Sequence, residues 1–212
     1  MNELQSDNQI ATLENNPAYQ AVAEAILQRR TIKQFLPQPV PRAVLSELIE
    51  LAVWAPNHRM TEPWRFYVLD DAARDQLGAI AAQITVAKIT GSGGEVDVAT
   101  RKGEEAGATW RAVPTLLYVT MVRGANSEID EENYGAVCCA IQNLTLGAHV
   151  AGIGTSWSSG AVAAAPALHE LVGAGQNEKM VGLMRLGYLD PAQATPKSRR
   201  MAGSSLTTWL GG

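Results

Sequence analysis

Cysteine, histidine and phenylalanine are scarce here, with two, three and two copies among 212 residues. The cysteines are the neighbours Cys138 and Cys139 in an apolar stretch, a spacing that builds neither a disulfide framework nor a metal site. They read as buried, reduced residues, as expected of a cytoplasmic protein. Cations are too few for a nucleic-acid partner: 17 Lys and Arg against 21 Asp and Glu give a formal charge of −4, whereas a phosphate backbone asks for a broadly basic face. Residues 1–16 are polar and acidic, without the basic start and apolar core of a secretory leader, so a flexible arm and no export are expected. The chain also lacks a Ser/His/Asp elbow, a Cys/His pair, a carboxylate dyad, and the glycine fingerprint that would tell NADH from NADPH.

What is present is apolar content enough, at 46%, for one domain over residues 17–212 with a full core. Val22 and Ile26, with Ala23 and Leu27, recur at helical spacing across residues 19–30, which end in Arg29 and Arg30. Pro39, Val40 and Pro41 open a second helix whose apolar face is Val44, Leu45, Leu48, Ile49 and Ala52. Residues 64–69 and 113–122 read as strands, and Asp70 and Asp71 as caps for a helix between them. Residues 134–153 carry no charge. Gln142, Asn143, Thr145 and His149 argue against a membrane span, and a helix apolar nearly all round must be covered on every side, which predicts packing against a second copy of the chain. A last strand is expected over residues 180–188. Residues 85–110 carry no recognisable motif.

Three segments carry chemistry. Arg29, Arg30, Thr31 and Lys33 follow the first helix; a helix C-terminus repels anions, so a phosphate there must be held by side chains. The competing reading is that the arginines cap the last carbonyls. Residues 55–64, with His58 at their centre, join a helix to a strand, where polar ligand contacts are commonly mounted. Residues 152–160 combine glycines that admit close backbone approach with the hydroxyls of Ser158 and Ser159 beside Trp157; the alternative is a plain surface turn.

The ordered set Arg29-Arg30-Thr31-Ile32-Lys33-x-Phe35, Pro39-Val40-Pro41, Ala55-Pro56-Asn57-His58, Pro63-Trp64-Arg65-Phe66-Tyr67-Val68, Asn143-Leu144-x-Leu146, Gly152-Ile153-Gly154-Thr155-Ser156-Trp157, Leu186-Gly187-Tyr188 and Pro196-Lys197-Ser198-Arg199 resembles the nitroreductase family, in its small subgroup with Ala-Pro-Asp/Asn-His. The resemblance spans roughly residues 21–200, with residues 72–110 outside it. It implies an α+β fold, a mixed central sheet flanked by helices, in an interlocked homodimer with FMN at the interface and NADH or NADPH as co-substrate. It further implies that Arg29, Thr31, Lys197 and Arg199 hold the phosphate, that Arg30 meets the ribityl or phosphate region, and that Lys33 sits by the pyrimidine edge. His58 would reach the cofactor of the other subunit, and Trp157, Ser158 and Ser159 would cover the ring. The implied activity is hydride transfer to an electron-poor small molecule such as a nitroaromatic or quinone, with no dedicated catalytic side chain. The alternatives are a flavin store with little turnover and a module whose basic pairs are only caps. One departure is Glu62, where the family usually has glutamine.

Overall fold

The computed structural model describes residues 13–210. A one-turn 3-10 helix, Leu13–Asn15, leads into α1 (Pro17–Gln28), where the Asn16 side chain caps the amides of Ala18 and Tyr19 at 3.0 and 3.2 Å and Pro17 occupies a first-turn position that needs no donor. Residues 13–16 are therefore part of a capped turn, and the rest of the expected arm, residues 1–12, lies outside the described residues. Then follow α2 (Arg42–Ala52), β1 (Trp64–Val68), α3 (Asp71–Gly91), α4 (Val96–Arg111), β2 (Thr115–Val122), α5 (Ser127–Val150), β3 (Ile153–Ser158), α6 (Pro166–Leu171) and β4 (Glu178–Tyr188).

The sheet order is β1-β2-β4-β3, with antiparallel ladders throughout; the parallel contact is a single bridge between Thr31 and Thr155. β2 explains the layering. Its residues alternate between two cores: Leu117, Val119 and Met121 face α2 and α5, while Leu116 and Tyr118 face the helices of the opposite layer. Both faces of the strand are covered, which is why its sequence reads as an apolar run rather than an alternation. Leu45, Leu48 and Ala52 of α2 and Val137, Ile141 and Leu144 of α5 fill the first core; Leu77 and Ala81 of α3, Trp110 of α4 and Leu168 of α6 fill the second.

The motif-free middle of the chain is a helical hairpin. Asp70 caps α3 as expected, accepting from the Ala73 amide at 2.8 Å. α4 crosses α3 closely because glycine stands at the contacts: a Cβ on Gly103 would lie 2.9 Å from the Ala82 carbonyl oxygen, and one on Gly107 2.7 Å from that of Gly78. The same glycines, poor helix formers, hide α4 from a propensity reading.

A polar knot ties the second layer. The Glu178 carboxylate accepts from the Tyr67 hydroxyl at 3.0 Å, from Thr120 Oγ1 and from the Gly175 amide. Burial alone would push the Glu178 carboxyl up, but these hydrogen bonds outweigh it and hold the group below its ordinary value. Burial, with Glu178 nearby, pushes the Tyr118 hydroxyl up to about 12; Tyr118 meets His169 Nδ1 at 3.1 Å.

Within one chain, two places expected to be covered lie open. α5 is not buried all round within one chain: Ala136, Val137, Ala140, Ile141, Leu144 and Ala148 are buried, but Gly135, Cys139, Gln142 and Val150 form an outward stripe. Cys139 is accordingly exposed and Cys138 half-buried, instead of both lying inside. Among the described residues, no helix is long and apolar enough to cross a membrane.

Candidate functional site

After Gln28 the backbone turns extended at Arg29, φ −56° and ψ 131°, and residues 31–36 run as a strap along the free edge of β3 and the end of β4. The Ile32 amide donates to the Thr155 carbonyl at 2.8 Å and the Leu36 amide to that of Tyr188 at 3.0 Å. Two glycines permit this approach. A Cβ on Gly154 would lie 2.7 Å from Leu189 and 3.0 Å from Ile32, and one on Gly187 2.8 Å from Phe35. Residues 152–158 are thus mostly an edge strand, not the surface turn that their glycines suggest on their own.

Strap, β3 and tail enclose a cavity of about 710 Å³, within the size range of small-molecule and cofactor sites. Ile32, Ile153 and Leu189 supply apolar wall; Arg29, Arg30, Thr31, Lys33 and Thr155 supply polar wall; the far side is the tail from Asp190 to Pro196, with His149 of α5 also present. The wall takes no residue from α3 or α4.

The ten residues expected at a site divide into groups. Arg29, Arg30, Thr31 and Lys33 line the cavity. Arg30, however, turns its Nη1 to the carbonyls of Leu27 and Arg29, at 2.6 and 2.9 Å, so for this arginine the capping role is realised. Among the described residues, Arg29 and Lys33 meet no carboxylate within 4 Å. Lys197 and Arg199 are exposed, also lack a carboxylate partner among the described residues, and follow the cavity wall just beyond Pro196. Trp157 and Ser158 continue β3 past Thr155, with Ser159 next. The Trp157 indole lies over Gly182, where a Cβ would come within 2.2 Å, and its Nε1 donates to the Val181 carbonyl at 3.1 Å. Ser158 Oγ accepts from Arg185 Nη2 at 3.4 Å, while the Arg185 guanidinium stacks on Trp110 at 4.1 Å. Burial lowers the basicity of Arg185.

His58 is elsewhere. Its loop contains three non-glycine residues in the left-handed region, Arg59 at φ 62°, Met60 at 51° and Glu62 at 45°. Such a conformation costs roughly 1–2 kcal/mol per residue, so it persists only where side chains fix it. Asn57 does so, accepting from the Glu62 amide at 2.7 Å and donating to Thr61 Oγ1 at 3.0 Å; Thr61 in turn donates to buried Asn133 at 2.7 Å. His58 Nδ1 stands 2.7 Å from Glu132 Oε1. Glu62 is exposed, and among the described residues its hydrogen bonds are made by its backbone, its amide donating to Asn57 Oδ1 and its carbonyl accepting from Arg65 Nη1. Sequence reasoning missed Glu132 and Asn133, since two polar residues in the first half of a helix give no sign that a loop 70 residues upstream rests on them.

The model of the Nitroreductase family matches residues 26–188, and the chain belongs to that family. YfhC of Bacillus subtilis (strain 168), named provisionally as an NAD(P)H nitroreductase, is 32% identical over 180 residues, covering 84% of this chain and 90% of YfhC. A nitroreductase-like family protein from Bacillus cereus has a similar fold, with a TM-score of 0.75 at 24% identity over 90% of this chain and 96% of that one. A nitroreductase with bound FMN from Bacteroides fragilis has a TM-score of 0.69 at 22% identity over 89% and 98% of the two chains.

Proposed function

We propose that this chain is an FMN-dependent oxidoreductase, acting in the cytoplasm as a homodimer, which passes hydride from NADH or NADPH to an electron-poor small molecule such as a nitroaromatic or quinone. The observation that carries the reading is a cavity with apolar walls whose cations Arg29 and Lys33 have no carboxylate within 4 Å among the described residues. That combination suits a flat ring joined to a phosphate: Ile32, Ile153 and Leu189 offer apolar surface, and Arg29 and Thr31 offer charge-assisted and neutral donors. The family membership and the FMN in the Bacteroides fragilis structure support the same cofactor.

In this reading Arg29 and Thr31 hold the phosphate together with Lys197 and Arg199. Arg30 acts chiefly by fixing the end of α1, which aims Arg29. Lys33 favours negative charge at the pyrimidine edge, and the segment with Trp157, Ser158 and Ser159 borders the ring. Bound FMN would supply the hydride chemistry itself, so the protein needs only to bind, orient and tune. Exposed apolar surface supports the dimer: α1 has no buried residue and exposes Tyr19, Val22, Ile26 and Leu27, while Leu206, Trp209 and Leu210 of the tail are more than two-thirds exposed.

The visible spectrum of the purified protein, followed by anaerobic mixing with NADH and with NADPH, tests this. A flavin band that bleaches with either nucleotide is expected. Colourless protein that binds no added FMN overturns the reading, and a flavin band that neither nucleotide bleaches replaces the enzyme with a store.

A further inference from the structure

The loop of residues 57–62 is fixed twice by α5, through adjacent residues with different tasks. Asn133 is buried, accepts from Thr61 and donates to the Val122 carbonyl at 3.0 Å, so it pins the backbone turn to the end of β2. Glu132 takes the imidazole of His58. Its other oxygen, Oε2, is buried with no hydrogen-bond partner, and Arg59 Nε stands 3.7 Å from it. The His58 side chain is 62% exposed, and among the described residues its Nε2 has no partner.

We propose that Glu132 is a positioning residue: it holds His58 as the Nδ1–H tautomer and so presents Nε2 outward as the acceptor for a donor group of the cofactor bound across the subunit interface. The chemistry is that of a carboxylate behind a ligating histidine. A carboxylate only accepts, so a contact of 2.7 Å calls for a ring proton on Nδ1; in the neutral form of the ring Nε2 then carries the lone pair. The group it would meet is a hydroxyl or imide N–H, the donor types that a ribityl chain and a flavin ring carry. The inference rests on the reading in which His58 meets the partner subunit's cofactor. The turn itself is held by Asn57, Thr61 and Asn133, so removing the Glu132 carboxylate alters the ring and leaves the backbone in place.

The test is long-range proton–nitrogen NMR of histidine-labelled, flavin-free protein at alkaline pH, where the ring is neutral, with the His58 signals assigned by their loss in His58→Gln. Wild type should show the proton on Nδ1; Glu132→Ala should move it to Nε2; Glu132→Gln, whose amide oxygen can still accept, should restore it. In FMN titrations Glu132→Ala and His58→Ala should each weaken binding about tenfold, the equivalent of a single hydrogen bond, and the double variant no further. A wild-type His58 with its proton on Nε2, or single effects that multiply in the double variant, overturns the positioning role. Because the tautomer is read without flavin, that failure is told apart from wild-type protein that binds no FMN, which overturns the functional reading instead.

Discussion

Cations in two regions of this chain are treated in opposite ways. Along α4 and in the loop of residues 57–62 each one named finds a carboxylate: Lys102 with Glu105 at 2.7 Å, Arg101 with Glu105 at 3.8 Å, Arg59 with Glu128 and Glu132 at 3.6 and 3.7 Å. Around the cavity Arg29, Lys33, Lys197 and Arg199 find none among the described residues. Exposed ion pairs contribute little to stability, so pairing is not what the fold depends on. The informative feature is the set left open, because unpaired cations beside an apolar cavity favour an anion from outside.

The comparison breaks most visibly if the open set is cut. Replacing Lys197 and Arg199 together by alanine removes both cations and leaves the rest of the tail, and without their charge-assisted hydrogen bonds to the phosphate FMN affinity should fall roughly 10²- to 10⁴-fold, read by flavin fluorescence titration. Lys102→Ala, taken from the paired set, should leave it within twofold. Next comes the uncovered surface of α1: Ile26→Glu should raise the dimer dissociation constant at least tenfold in sedimentation while leaving helical content unchanged, since Ile26 is 52% exposed within the chain. An unchanged sedimentation profile would remove α1 from the interface.

Packing under the site gives a smaller effect. Gly182→Ala forces a methyl into the indole of Trp157 and should cost about 1–3 kcal/mol in urea unfolding, with a shifted tryptophan emission. Lys33→Ala is the finest probe of the open set: it should make the flavin midpoint more negative by roughly 30 mV, a tenfold change in preference for a two-electron couple, with modest loss of binding. An unchanged potential would leave Lys33 a binding residue only.

The frame was legible in the sequence wherever one rule acted alone. The 3.6-residue spacing around Leu45 and Leu48 marks α2, and the apolar run around Leu117 marks the central strand. Legibility failed where a tertiary contact overrode the local signal. Gly103 and Gly107 are poor helix formers, yet they sit at close contacts of the α3–α4 crossing, so the helix that carries them has no local signal. Gly152 and Gly154 read as a turn, but Gly154 is in an edge strand because the strap of residues 31–36 needs to lie against it. In the cavity wall, Arg29, Thr31 and Lys33 are residues that the sequence motif singles out. Capping by the arginines is the competing reading of that motif, and Arg30 takes it; the grip of Glu132 on His58 could not be named, because it depends on where a side chain finds its acceptor across 74 residues.

The most direct test of convergence on one phosphate compares FMN with riboflavin, which lacks that group, across Arg29→Ala, Lys197→Ala and the double variant. Each single change should weaken FMN about 10- to 100-fold and leave riboflavin within twofold, with effects in the double variant that do not simply multiply. Equal losses for FMN and riboflavin, or FMN affinity untouched by either change, would contradict a shared phosphate site.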